Sequence, residues 1–379
     1  MNKNYLIIFS LLVFFSACSS KKNKGSTEET DQKNYKVIAY VYGWQDNWGD
    51  NFEKANQITH INYAFANIKN GRVVLGTEKD ADDLNKLNGL KKINQNLKIL
   101  ISVGGWGWSG NFSDAVLTEN SRQIFANSAI DFMLKHRIDG IDLDWEYPGQ
   151  RGDDNIYRAV DKENFTLILK LIREKLDSVS SKSNSYLLTV ATAAGQNYLD
   201  HTNMKEAQKY LDFINIMTYD FYTGSSKKTG HHANLNFSEF ADKKRSRSAA
   251  LAVQQHISAG IPVNKLVLGV PFYGRWWRGV QPENKGLYQT ATGPTGSYGY
   301  NVLADSLKGN SGFVSHWDSS ADAPYIWRQK DSLFITYENV RSIQIKSDFI
   351  KKMKLGGIMF WQLNGDNGDL LNAINKNLD

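Results

Sequence analysis

Cysteine is almost absent: among 379 residues only Cys18 is one. No internal disulfide can form, so stability must come from a hydrophobic core, which a chain of this length can build. Long apolar runs are also scarce. The most apolar stretch, residues 5–15, is too short for the ~20 residues of a membrane-spanning helix. No glycine fingerprint of the dinucleotide-binding type follows the first expected strand, and no phosphate-binding loop sequence occurs. No histidine cluster supports a metal centre, so no metal and no cofactor are expected. The net charge of +6 is scattered, with short basic runs such as Lys21-Lys22-Asn23-Lys24 and no long one. That pattern argues against a nucleic-acid partner.

What is present is ordinary for a soluble globular chain, with 41% hydrophobic and 22% charged residues. Aromatics reach 12%, including 10 Trp. So many large rings imply either bulky core layers or stacking platforms for a flat ligand. The N-terminus reads as a targeting segment. A short basic start, Met1-Asn2-Lys3-Asn4, precedes the apolar run and then Ser16-Ala17-Cys18-Ser19-Ser20. An ordinary cleavage site is one reading. The sharper one is a bacterial lipoprotein signal: the pattern resembles a lipobox, with Phe15 where Leu is usual. Residues 1–17 are then the signal peptide and Cys18 the lipidated first residue. Ser19 resembles an outer-membrane address, so a lipid-anchored envelope protein is expected. Residues 18–34 are polar, mixed in charge and without apolar periodicity, as in a flexible tether.

From residue 35 onward, short β-branched runs alternate with amphipathic stretches. Strands are expected at 36–42, 59–65, 97–103, 140–146, 186–192, 213–219, 266–272 and 357–362, and helices at 121–135, 163–176, 246–259 and 343–353. About eight such repeats in roughly 340 residues fit a (β/α)8 TIM barrel over 35–379 better than a doubly wound sheet. One connection is too long for a plain crossover. Between the seventh and eighth strands, residues 278–335 are rich in Gly, Tyr and short apolar pieces. A structureless loop of that length is unusual, so a small α+β insertion between strand 7 and helix 7 is expected, forming one wall of a cleft.

The strongest chemical signal is Asp139-Gly140-Ile141-Asp142-Leu143-Asp144-Trp145-Glu146-Tyr147-Pro148-Gly149. Read as a strand, Ile141, Leu143 and Trp145 point one way and Asp142, Asp144 and Glu146 the other. The apolar set suits the helix-facing side. The acids then enter the barrel, near the strand's C-terminal end where barrel active sites lie. Three acids about 6–7 Å apart on one buried face cannot all ionise comfortably, so some pKa values must rise. A carboxyl kept protonated near neutral pH can act as a general acid. A solvated acidic edge or a calcium site is the blander reading, and the flanking Trp, Tyr and Pro argue against it.

This motif closely resembles family 18 glycoside hydrolases, the chitinases. Ser102-Val103-Gly104-Gly105-Trp106 is similar to the family's third-strand motif and Met217-Thr218-Tyr219-Asp220 to its sixth. Gly269-Val270-Pro271-Phe272-Tyr273-Gly274-Arg275 resembles the seventh strand and its exit, and Gly356-Gly357-Ile358-Met359-Phe360-Trp361 the eighth. The resemblance spans nearly all of 35–379 and implies roles. Glu146 protonates the glycosidic oxygen. Asp144 orients the substrate's acetamido group, whose oxygen is the nucleophile, and exchanges a proton with Asp142. Tyr219 bonds that oxygen, and Asp220 contacts the sugar. Trp361 is the apolar floor, while Tyr40, Phe65, Gly105, Trp106, Met217, Tyr273 and Arg275 align with cleft-lining positions. Phe65 and Met217 also fit plain barrel filling. The implied substrate is chitin or chitooligosaccharides, handled by a monomer. Two other functions share the fold: trimming of N-glycans at their chitobiose core, and non-catalytic chitin binding, whose practitioners usually lose the terminal Glu that is intact here. One departure stands out. Many family members carry a Trp after the sixth strand, and residues 220–227 have none. Trp276 and Trp277 either compensate or belong to the insertion.

Overall fold

A computed structural model of the chain describes residues 35–43, 54–181, 185–242, 247–308 and 312–378. The expected signal peptide, Cys18 and the tether lie outside them. Runs such as Lys36–Tyr42 (KVIAYVY), Lys98–Gly104 (KILISVG) and Leu266–Pro271 (LVLGVP) form strands because β-branched residues pack well on a pleated surface. Together with His60–Lys69, Gly140–Asp144, Leu187–Ala193, Phe213–Met217 and Gly357–Trp361 they make eight parallel strands. Each pairs with the next around the ring, and the first strand pairs with both the eighth and the second, which closes the barrel. The second strand runs on past residue 65 into a hairpin with Arg72–Val74. Asn70 and Gly71, at φ 52° and 71°, make its tight turn, an addition the sequence reading did not include.

Helices such as Glu119–His136, Asp161–Val179, Ala249–Ser258 and Val340–Met353 follow the expected amphipathic stretches. Three of these four have a side-chain cap at the N-terminus, from Thr118, Ser248 and Asn339. Thr118 and Ser121 form a reciprocal box at one N-terminus, and Arg137 ends that helix in the left-handed region. No helix among the described residues is long and apolar enough to cross a membrane.

Strand alternation divides the core. Val37, Ala39 and Val41 join the large cluster between strands and helices, whereas Ile38 and Tyr40 join a small cluster inside the barrel with Phe213, Val267 and Met359. After the seventh strand the chain builds a separate antiparallel sheet. Its strand order is Thr295–Gly299, Tyr273–Trp277, Leu333–Thr336, Ala323–Arg328, Val314–Asp318, with helix Tyr300–Lys308 beside it. This sheet begins at Tyr273, ahead of the 278 expected from composition, because only Phe272 separates it from the barrel strand. Tyr273 and Arg275 thus sit on a rigid strand rather than a loop. Trp277 is fully buried in the core of this sheet, and Trp276 stacks on Tyr298 at 5.6 Å. Both belong to the insertion, and neither is among the residues that line the cleft.

Candidate active site

The strand Gly140–Asp144 separates its two faces as alternation demands. Ile141, Leu143 and Trp145 are buried in the outer core, with Trp145 stacked on Phe112 at 5.0 Å. On the other face Asp142 is fully buried inside the barrel. Its Oδ2 accepts from Tyr40 Oη (2.8 Å) and Ser102 Oγ (2.8 Å), and its Oδ1 from Thr189 Oγ1 (2.6 Å). Burial pushes its pKa up, and these donors oppose the shift by stabilising the carboxylate.

Asp144 and Glu146 sit higher, 4% and 8% exposed. Burial, then the charges of Glu146 and Asp142, drive the Asp144 carboxyl well above the usual range. Its Oδ1 has no hydrogen-bond partner among the described residues. Burial raises Glu146 to about 7; a bond from Tyr147 opposes this and the charge of Asp220 adds to it. An acid poised there still holds its proton in a large fraction of molecules at neutral pH and can give it up at modest cost.

Tyr219 and Asp220 follow the sixth strand, Phe213–Met217. Burial, then the surrounding carboxylates, raise the Tyr219 phenol, so it stays a donor. Asp220 adopts φ 57° and is gripped by Arg275, with Nε to Oδ1 at 2.8 Å and Nη2 to Oδ2 at 2.6 Å. Its burial alone would raise the pKa, but the nearby His232 ring, its Nδ1 3.6 Å from Oδ1, and the bonds from Arg275 outweigh that and hold the carboxyl below the usual range. Asp220 is thus ionised at a pH where Glu146 still holds its proton.

Trp361 ends the eighth strand. Phe65 lies nearly parallel to it at 5.5 Å, and Tyr40 and Tyr42 tilt against it at 5.8 and 5.7 Å. The rings of Trp361, Phe65 and Tyr40 floor a cleft of about 1340 Å³ at the C-terminal ends of the strands. The cleft brings together Tyr40, Phe65, Trp106, Asp144, Glu146, Met217, Tyr219, Asp220, Tyr273, Arg275 and Trp361. Trp106 is 53% exposed there, its ring edge-on to Tyr147 at 6.3 Å. Phe65 and Met217 do both things considered for them, packing on the barrel's inner cluster and lining the cleft. Two sequence candidates are not among the lining residues. Asp142 is beneath the surface, bonded as above. Gly105, at φ 77°, is where a Cβ would come within 2.4 Å of the Phe65 ring, so its missing side chain leaves room for that ring.

The cleft also contains residues the sequence reading passed over. Tyr147 is adjacent to the acidic motif and was available from that adjacency. Tyr198 and Asn197, on the short helix Gln196–Asp200, and Asp366, beyond the eighth strand, carry no local signal. Among the described residues no group of three or more His, Cys, Asp or Glu is arranged to hold a metal ion.

The comparisons with known proteins agree with this geometry. Residues 36–366 match the model of glycosyl hydrolases family 18. The chain is 36% identical to Chitinase A1 of Niallia circulans, over 99% of this chain and 62% of that protein. It is 32% identical to Chitinase B of Serratia marcescens, over 85% of this chain and 76% of that one. It thus spans less than two thirds of the first relative's length. Among solved structures, a family 18 N-acetylglucosaminidase from Paenibacillus barengoltzii superposes with a TM-score of 0.84 at 39% identity, covering 91% of this chain and 100% of that one. With the whole barrel matched from its first strand to beyond its eighth, the chain belongs to glycosyl hydrolases family 18.

Proposed function

We propose that the protein is a retaining chitinase that cleaves β-1,4 linkages between N-acetylglucosamine units by substrate-assisted catalysis. The observation that carries this reading is Glu146, a buried carboxyl at the cleft floor held near neutral pKa, beside an Asp144 with an unpartnered oxygen. Glu146 donates its proton to the glycosidic oxygen as the C1–O bond breaks. The substrate's acetamido oxygen attacks C1 and forms an oxazolinium ion. Asp144 accepts the amide N–H, and the Tyr219 hydroxyl donates to the acetamido oxygen. Water then enters on the face the leaving group vacated, gives a proton to Glu146 and opens the ring with retained configuration. Arg275 pins Asp220 ionised, so this carboxylate accepts bonds from sugar hydroxyls. Trp361 meets the apolar face of the scissile sugar. The relatives named as chitinases support the substrate class. Chitooligosaccharides are the ligands we assign, acted on by a monomer.

The test is release of a chromophore from chitobiose and chitotriose glycosides, with Glu146→Gln alongside. Wild-type turnover abolished in the variant is the expected result. An active variant removes Glu146 from its role. An inert wild type that still binds sugar makes the protein a lectin, and turnover confined to a high-mannose glycoprotein makes it a glycan-trimming enzyme.

We also propose that Cys18 is lipidated and anchors the enzyme at the outer membrane. The Ser16-Ala17-Cys18-Ser19 pattern supports this. Labelled palmitate should enter the wild type and not Cys18→Ser expressed in a Gram-negative host. Equal labelling of both refutes the anchor.

A further inference from the structure

We propose that Ser109 is a positioning residue that holds the Glu146 carboxyl in place for proton transfer, acting through the main chain of the acidic strand. The inference rests on the hydrolase reading above. The third barrel strand, Lys98–Gly104, pairs with the acidic strand until Gly104 lies opposite Asp144. There the ladder stops, so Glu146 lies two residues beyond the last strand pairing. What continues is a turn. Gly104 and Gly105 take φ 104° and 77°, and the chain comes back to the acidic strand at Ser109. A Cβ on Gly104 would lie 2.5 Å from the Asp144 carbonyl oxygen and 3.2 Å from Ser109 Oγ, so this turn presses directly on the acidic strand.

The hydrogen bonds complete the clamp. Gly105 N–H donates to the Asp144 carbonyl at 2.8 Å. The Glu146 N–H donates to Ser109 Oγ at 2.9 Å. The Ser109 hydroxyl in turn donates to Gly105 O at 2.8 Å, with Asp144 O at 3.1 Å. Ser109 is fully buried, and it is not among the residues that line the cleft. Its oxygen therefore replaces the strand partner that Glu146 lacks. Remove it, and a buried N–H is left without its acceptor just where the catalytic side chain is attached. The backbone then relaxes toward another partner, and the carboxyl moves with it. Proton transfer tolerates little such movement: a misplacement of about 1 Å costs on the order of 10²-fold in rate. The same turn displays Trp106 in the cleft, so one short loop both meets the sugar and sets the acid.

The experiment compares Ser109→Ala with Ser128→Ala. Ser128 is a matched control. Its Oγ accepts the Val73 N–H at 2.9 Å and donates to Phe125 O at 2.8 Å, on a helix away from the cleft. Both variants should lose melting temperature to a similar degree. Only Ser109→Ala should lose kcat, by about 10–100-fold, with KM within about twofold of wild type. Its basic limb in the pH profile should also move to lower pH, because a loosened carboxyl gains water and its pKa falls toward the ordinary value. Should Ser109→Ala be too unstable to assay, Ser109→Cys keeps a weak acceptor of similar size and should show an intermediate kcat. Unchanged kcat in the Ser109 variants, or an equal loss in Ser128→Ala, overturns the proposal while leaving the hydrolase reading intact. A wild type inert on every N-acetylglucosamine substrate overturns both.

Discussion

Glu146→Gln should make this protein more stable at alkaline pH while destroying its activity. The carboxyl's pKa rises from an ordinary 4.5 to about 7 because folding takes it out of water. Below the unfolded value, both states carry the proton and nothing is lost. As pH climbs from there, the unfolded chain ionises freely while the folded one holds its proton, so the wild type loses stability until the folded group has also titrated. The gap between the two values, at about 1.4 kcal/mol per pH unit, comes to about 3 kcal/mol. Repulsion between Glu146 and Asp144 acts in the same direction and vanishes with the charge. Glutamine keeps the shape and cannot ionise. Urea unfolding of both proteins across pH should give a constant difference below about 4.5 that widens through about 7 in favour of the variant, then levels off. Two stability curves running parallel across that whole range would refute the idea that Glu146 is buried at an electrostatic cost for its chemistry.

Three further outcomes follow from the same geometry. With Glu146 as the acid, kcat should fall as pH rises through about 7 in a rate–pH profile, since the proton to be donated is then gone. Gly105→Ala should destabilise the fold by about 1–3 kcal/mol, because its φ is left-handed and the new Cβ would meet the Phe65 ring at 2.4 Å; thermal melting reads the loss, and a raised KM reads the displaced ring. Trp361→Ala should raise KM by about tenfold through loss of the apolar floor, while leaving the basic limb of the profile in place.

Much of this was legible along the chain because the governing forces are periodic and local. Period-two alternation at 140–146 separates an apolar face from an acidic one, and both are buried because the sheet closes on one side and helices cover the other. Repetition of strand and helix signals indicates the barrel, and the overlong seventh crossing indicates the insertion. The exit motif Tyr273-Gly274-Arg275 is visible too. Its assignment to the first strand of the inserted sheet is not, because strand identity there depends on pairing with residues 295–299 and 333–336.

The amino-acid sequence by itself determined the architecture, the face on which the acids lie, and the residue best suited to be the acid. Only the tertiary structure decided how that acid is tuned and held. Asp220 is gripped by Arg275, 55 residues away along the chain. Asp142 is satisfied by hydroxyls from three other strands. The Glu146 main chain rests on a serine 37 residues upstream. Desolvation and hydrogen bonding act over a few ångströms in space whatever the separation in sequence, so these partners carry no local signature. For the same reason Trp276 and Trp277, equally plausible as sugar platforms from their position, were settled as parts of the inserted domain only when the sheets had packed.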